Sequence, residues 1–212
     1  MRTRIKICGL RTSQAIQTCV ESGADAVGFV FYAPSPRAVT PPEAEVLASQ
    51  LGPWITPVAL FVNPSEAEVD AVLEAIPNAL LQFHGDESPE FCAQFGQPFM
   101  KAIRMKEGVN LRFELERFKR AQGVLVDSWS EHFGGSGHTF DWSLLAEVSG
   151  FGTPLILSGG LSDGNVAEAI KQVKPYGVDV SSGVESSRGV KSSEKIASFC
   201  KAVRLADSKT LV

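Results

Sequence analysis

The sequence lacks a long basic cluster, a CxxC pair and an apolar run of membrane-spanning length. Its formal net charge is -4 over 212 residues, whereas nucleic-acid binding calls for clustered lysine and arginine. A bilayer-spanning helix needs about 20 consecutive apolar residues. The start of the chain also lacks the apolar stretch and cleavage site of a signal peptide. We therefore expect a cytoplasmic protein that binds neither nucleic acid nor a membrane.

Cysteines are few, and their spacing does not suggest a disulfide framework. The four are Cys8, Cys19, Cys92 and Cys200, and in a reducing compartment they are expected to be free thiols. The last three fall within amphipathic helical patterns, where cysteine usually serves packing. Cys8 differs because it ends a short apolar segment, just where the chain turns.

What the chain has in abundance is an alternation of short apolar segments with helical patterns. Eight strand-like segments are found at 4–9, 26–31, 56–62, 79–85, 98–104, 123–128, 153–159 and 176–182. Helical patterns occur at 12–23, 41–51, 64–76, 88–96, 110–120, 141–150, 164–173 and 192–203. Strict alternation requires parallel strands covered by helices, so the pattern predicts an α/β fold, a single (β/α)₈ TIM-barrel domain over 1–212. The alternative is an open doubly wound sheet, which normally carries a glycine-rich phosphate turn after its first strand, and "CGLRTS" is not such a turn.

In a barrel of this kind the loops after the strands form the site. Two adjacent loops are rich in small residues, "SGGLSDGN" at 158–165 and "SSGVESS" at 181–187. Glycine lets backbone amides approach an anion, and a following helix start favours phosphate. One such loop is ordinary, but two neighbouring ones predict a phosphate site.

The thiol of Cys8 has candidate partners on other strands. Lys6 lies on the same face of the first strand, and barrel closure places the eighth strand beside it, so we expect an interior pair of Lys6 with Asp179. Lys6 near the thiol would help to hold a thiolate. Asp127 ends a strand across the barrel and is a candidate general acid, with the thiol as the general base. The ordinary interpretation is that a carboxylate at a strand end only caps the next segment.

Three further features have an ordinary interpretation beside the functional one. His84 is a candidate site residue or a satisfied structural histidine. Arg37, in the proline-stiffened "PSPR", is a candidate carboxylate ligand or a solvated loop charge. The glycine-rich segment 132–142 is a candidate lid or simply a mobile loop.

Taken in order, the motifs resemble the phosphoribosylanthranilate isomerase family of tryptophan biosynthesis over essentially the whole chain. They are "KICGL" at 6–10, "SPR" at 35–37, "QFHG" at 82–85, "GGSGHTFDW" at 134–142, "LSGGL" at 157–161 and "DVSSGVESSRGVK" at 179–191. The chain departs from the family's common pattern at Phe83, Ser136, His138 and in the turn 162–165. None of these departures removes a proposed catalytic group.

The resemblance implies a (β/α)₈ barrel that uses no metal and no organic cofactor. It implies that Cys8 is the general base and Asp127 the general acid of an Amadori rearrangement of N-(5-phosphoribosyl)anthranilate. Arg37 would contact the anthranilate carboxylate, and we also predict His84 to bind substrate. The expected phosphate-binding residues are Gly159, Gly160, Ser181, Ser182 and Gly183.

Other functions remain open at this point. A ribulose-phosphate epimerase would need metal-binding histidines, and only three histidines exist. An indole-glycerol-phosphate synthase would need a catalytic lysine, for which Lys101 is a weak candidate inside strand five. A non-catalytic phosphate-binding barrel would need neither Cys8 nor Asp127. In every case the expected partner is a small phosphorylated molecule, and the choice between monomer and homodimer stays open.

Overall fold

The computed structural model describes residues 2–106, 108–128, 142, 145 and 152–209. Eight strands form a closed barrel in chain order. They are β1 Arg4–Cys8, β2 Ala26–Phe31, β3 Thr56–Phe61, β4 Leu80–Phe83, β5 Phe99–Met105, β6 Gly123–Ser128, β7 Leu155–Leu157 and β8 Gly177–Val180. Because β1 pairs in parallel with both β2 and β8, the ring has no edge and the open-sheet alternative is wrong. The eight predicted strands are thus confirmed.

Helices follow most of the strands. They are α1 Ser13–Ser22, α2 Pro41–Ala48, α3 Glu66–Ala75, α4 Pro89–Ala93, α5 Leu111–Arg117, α6 Val166–Val173 and α7 Ser193–Lys209. The first five begin at a polar residue whose side chain accepts a backbone N–H of the first turn, as helix starts require. The helix expected at 141–150 lies outside the described residues, apart from Trp142 and Leu145. Over the described ranges, none of the helices combines the length and apolarity that crossing a membrane would take.

The loop after β8 contains structure that the sequence pattern did not predict. A 3₁₀ helix, Ser182–Val184, leads into a small antiparallel hairpin of β9, Glu185–Ser187, and β10, Val190–Lys191. The helix expected at 192–203 is confirmed, because α7 begins at Ser193, and the hairpin lies between the Ser181–Gly183 segment and this helix start. The hairpin contributes Glu185 and Lys191, whose side chains contact Arg37 and Ser181.

The core has two layers, which explains where the strand-end side chains point. The interior of the barrel is filled by a small apolar cluster of Val58, Met100, Ala102, Leu125 and Ile156. A larger cluster lies between the strands and the helices. Because side chains alternate along a strand, the next inward positions toward the carboxyl ends open into the mouth instead of the core.

Candidate active site

All nine candidate site residues line one pocket at the carboxyl ends of the strands. They are Cys8, Arg37, His84, Asp127, Gly159, Gly160, Ser181, Ser182 and Gly183. They come from six different strands or the loops that follow them, and only barrel closure brings them together. The predicted convergence of strand ends on one cavity is what the structure shows.

Beneath the pocket, Lys6 and Asp179 form the expected interior pair. They face each other in the β1–β8 register, and Lys6 Nζ donates to Asp179 Oδ1 over 2.7 Å. Ser158 Oγ donates to the other carboxylate oxygen at 3.4 Å. Each charged side chain is only 6% exposed. Because water does not solvate these buried charges, each is stabilised by the other.

The thiol of Cys8 is more strongly protonated than the sequence suggested. Burial is the largest influence and raises its pKa above the ordinary value. The positive charges of Lys6 and Lys191 act to lower the pKa of Cys8, whereas Asp179 acts to raise it. Lys6 thus favours the thiolate as predicted, but its effect does not outweigh burial.

The other three cysteines behave as packing residues, as predicted. Cys19, Cys92 and Cys200 are buried in the layer between strands and helices. Burial raises the pKa of Cys19 and Cys92 to about 12 and that of Cys200 to about 11. Among the four thiols, Cys8 alone lines the pocket.

His84 lies beside Asp127 and is not a fully satisfied structural histidine. Its Nδ1 is 3.1 Å from the amide nitrogen of Gln82, two residues earlier on the same face. Its buried Nε2 lies 3.2 Å from Asp127 Oδ2, yet it makes no well-directed hydrogen bond with the described groups. If the Gln82 amide donates to Nδ1, the ring proton sits on Nε2 and faces Asp127. The imidazole therefore keeps hydrogen-bonding capacity at the pocket wall.

Gly159 brings the seventh loop against the proposed acid. Its backbone has φ +88, and a Cβ at this position would lie 2.8 Å from Asp127 Oδ1 and 2.5 Å from the backbone nitrogen of Ser128. Both the backbone conformation and the close approach require glycine. The acid and one of the two candidate phosphate loops are thus in direct contact.

Arg37 is buried and paired, so it is not a solvated loop charge. Its Nε donates to Glu185 Oε1 at 2.6 Å and its Nη2 to Glu185 Oε2 at 2.9 Å. Arg37 is 8% exposed overall and lines the pocket. Sequence reasoning missed Glu185, although it stands within the quoted "SSGVESS" segment. Its pairing with Arg37 spans 148 positions along the chain, and no local pattern reports such a contact.

The two small-residue loops are held in place by side chains that hydrogen-bond to their backbone. In the seventh loop, Asn165 accepts from the backbone N–H of Ser162 and donates to the carbonyl of Gly160. Because its side chain is used in this way, it does not cap α6. In the eighth loop, Lys191 donates to the carbonyl of Ser181 over 2.8 Å. Such amide-rich segments near a helix start suit an anion.

The candidate lid at 132–142 lies outside the described residues, apart from Trp142.

A (β/α)₈ barrel whose strand ends gather a thiol, a carboxylate and two glycine-serine loops in one pocket is typical of enzymes that act on sugar phosphates. Comparison with known proteins narrows this class. Residues 5–202 match the model of the family described as N-(5'-phosphoribosyl)anthranilate (PRA) isomerase. An N-(5'-phosphoribosyl)anthranilate isomerase of Methylibium petroleiphilum is 51% identical over 209 residues, which cover 99% of this chain and 97% of that protein.

Solved structures point to the same family. The phosphoribosyl anthranilate isomerase of Thermotoga maritima superposes with a TM-score of 0.88 and 37% identity, over 95% of this chain and 98% of that one. A further structure of such an isomerase, described as a complex with reduced 1-(o-carboxyphenylamino)-1-deoxyribulose 5-phosphate, gives a TM-score of 0.85 and 34% identity, with 95% and 98% covered. The chain belongs to the phosphoribosylanthranilate isomerase family, as its motifs suggested. It is an enzyme of the isomerase class and serves tryptophan biosynthesis.

Proposed function

We propose that this chain converts N-(5-phosphoribosyl)anthranilate to 1-(2-carboxyphenylamino)-1-deoxyribulose 5-phosphate, with Cys8 as general base and Asp127 as general acid. The observation that carries the proposal is the convergence of all nine candidate residues on one pocket. In the closed ring, β1 and β6 are three strands apart through β8 and β7. Cys8 and Asp127 therefore approach a bound ligand from different sides.

The substrate is anchored at its two anionic ends. Its phosphate binds at Gly159–Gly160 and Ser181–Gly183, where backbone amides and a helix start favour a negative charge. Its anthranilate carboxylate binds at Arg37, whose described side-chain contacts use only the Nε–Nη2 edge. Holding both ends places the reacting carbons between thiol and carboxylate, which makes the proton transfers effectively intramolecular.

In the first step, Asp127 gives its proton to the ribose ring oxygen. The C1–O bond breaks, its electron pair stays on the oxygen, and the nitrogen lone pair forms the C1=N bond of a protonated Schiff base. His84, 3.2 Å from Asp127 Oδ2, faces the carboxylate that this step leaves behind. An N–H at Nε2 directed at that oxygen would stabilise the new negative charge.

In the second step, Cys8 removes the proton from C2. The electrons of the C2–H bond form C1=C2, and those of C1=N return to nitrogen, which gives the enolamine. Loss of the enol proton and protonation of C1 then yield the ketone. Burial disfavours the thiolate of Cys8, but the protonated Schiff base brings a positive charge next to it at the moment when the base is needed.

The proposal extends to the domain organisation, the localisation and the oligomeric state of the enzyme. We take residues 1–212 as one barrel domain that works in the cytoplasm on a small phosphorylated substrate. A solved relative is described as monomers generated from the dimeric isomerase of Thermotoga maritima, so both monomer and homodimer are forms to test by sedimentation.

The experiment that tests the function follows the fluorescence of phosphoribosylanthranilate after purified protein is added. We expect a loss of fluorescence that requires the protein and is first order in its concentration. A protein that binds inorganic phosphate but leaves the fluorescence unchanged would be the non-catalytic phosphate binder instead.

A further inference from the structure

Glu185 occupies a central position that the acid–base mechanism does not use. It is the first residue of β9, and its side chain is 5% exposed. Its Oε1 accepts from Arg37 Nε at 2.6 Å and Lys191 Nζ at 2.8 Å, and its Oε2 accepts from Arg37 Nη2 at 2.9 Å and Gly189 N at 3.0 Å. A carboxylate offers about four lone-pair sites, so this carboxylate is saturated by the protein itself.

The charges around Glu185 do not cancel. One carboxylate faces the two cations Arg37 and Lys191, and Lys195 Nζ adds a third positive charge by donating to the Glu185 carbonyl at 2.7 Å. The cluster therefore carries an excess of positive charge next to the pocket, which suits a substrate that is anionic at both ends. Among these groups, only Arg37 lines the pocket directly.

Lys191 connects this cluster to the candidate phosphate segment. Besides Glu185, its Nζ donates to the carbonyl of Ser181 at 2.8 Å and to Ser181 Oγ at 3.2 Å. Ser181 Oγ in turn donates to the carbonyl of Cys8 at 3.1 Å. A continuous set of contacts thus runs from Arg37 through Glu185 and Lys191 to Ser181 and the end of β1.

We infer that Glu185 is a positioning residue that couples the two ends of the substrate site, because it orients Arg37 for the carboxylate and, through Lys191, holds the Ser181–Gly183 segment in its phosphate-binding conformation. This inference rests on the proposed function for the identity of the two anionic ends. It assigns Glu185 no contact with substrate. Its role is to give the two cations fixed directions that they would lose without a shared acceptor.

Coupling and simple electrostatics predict opposite changes in phosphate affinity when Glu185 loses its charge. Glu185→Gln keeps the shape of the side chain and removes a negative charge near an anion site, so Coulomb attraction alone would make inorganic phosphate bind more tightly. Coupling predicts the opposite, because the amide keeps only one acceptor oxygen and places an NH₂ donor where the second oxygen now accepts from Arg37 Nη2 and the backbone N–H of Gly189. We expect phosphate affinity, measured by calorimetry, to fall by about tenfold, the size of one charged hydrogen bond. In turnover, KM for phosphoribosylanthranilate should rise by a similar factor while kcat changes less.

Two further variants make the result decisive. Glu185→Asp keeps the charge but is one methylene shorter. Coupling therefore predicts weaker phosphate binding, whereas electrostatics alone predicts unchanged binding. This variant also tests the inference if Glu185→Gln fails to fold. Glu87→Gln is the matched control. Glu87 is likewise buried, and it accepts from Lys101 Nζ and the backbone N–H groups of Asn63 and Gly85. This control should lower the melting temperature and leave phosphate affinity unchanged.

Each outcome decides the inference. Weaker phosphate binding in both Glu185 variants, with the Glu87 control unchanged, supports it. Unchanged or tighter binding in a folded Glu185 variant overturns it, as does an equal loss in the control or a wild type that binds no phosphate. Calorimetry needs no turnover, so an inactive wild type would refute the proposed reaction while the coupling is still tested.

Discussion

Replacing Cys8 with serine separates its proposed catalytic role from its contribution to packing. The thiol is 4% exposed and packs with Val30, Leu60 and Val62 at the inner edge of the pocket. Serine is close in size, but its hydroxyl ionises far above a thiol's pKa of ~8.5. The variant should therefore fill the site and fail as a base.

The two expected effects differ in size. Loss of a general base costs ~10²–10⁴ in kcat, which corresponds to about 3–5 kcal/mol in the activation barrier. A buried hydroxyl in place of the thiol costs about 1–3 kcal/mol of unfolding free energy if it finds no partner, out of the ~5–15 kcal/mol typical of a domain. This cost arises because the structure buries Cys8. The variant should still fold, so a loss of turnover reports chemistry.

Cys92→Ser is the matched control for this experiment. Cys92 is fully buried between β-strands and helices, away from the pocket, so the same atom exchange should lower stability and leave kcat unchanged. Turnover is followed by substrate fluorescence, and unfolding by urea denaturation. If purified, folded Cys8→Ser keeps turnover within about tenfold of wild type, well short of the general-base loss, the thiol is a packing residue and the proposed mechanism is wrong.

Three other results are expected from the same geometry. Asp127→Asn keeps the shape and loses the acidic proton, so kcat should fall by a factor comparable to ~10²–10⁴ with little change in KM; normal turnover would remove Asp127 from the mechanism. Ser182→Asp adds a negative charge at the candidate phosphate loop and should raise KM steeply, and an unchanged KM would mean that phosphate binds elsewhere. Because burial raises the pKa of Cys8, its alkylation rate should keep rising as pH increases past ~8.5, the ordinary thiol value, and bound product should slow it. A plateau below that pH would show a thiol activated in the free enzyme.

The barrel could be predicted from the sequence alone because several independent features of the sequence indicate the same fold. Apolar strand segments, polar helix caps such as Thr12 and Ser65, and strict alternation all specify the same fold. Period two also placed Lys6 beside Asp179 correctly, because strand neighbours in a closed ring follow from chain order. Chain order alone therefore assigns the strand ends to one mouth of the barrel.

The hairpin after β8 could not be predicted in the same way. Its strands, Glu185–Ser187 and Val190–Lys191, are three and two residues long, too short to show a period. The partners of Glu185 come from a loop after β2 and from β10, so their selection depends on how loops meet above the barrel. The same limit applies to the balance of charges at Cys8, because its burial depends on how the ends of β1, β2 and β3 pack together.

The pattern of charges around Cys8 suggests why its thiol is buried and still useful. Two cations influence it, and each is paired with a carboxylate, Lys6 with Asp179 and Lys191 with Glu185. Removing either carboxylate would increase the pull toward thiolate, but an unpaired buried lysine typically costs about 3–5 kcal/mol of stability. The two ion pairs therefore stabilise the folded enzyme at the expense of the thiolate. In the proposed mechanism, the cationic Schiff base then supplies the missing positive charge, so the thiol would become a stronger base only when the C2 proton is ready to be removed.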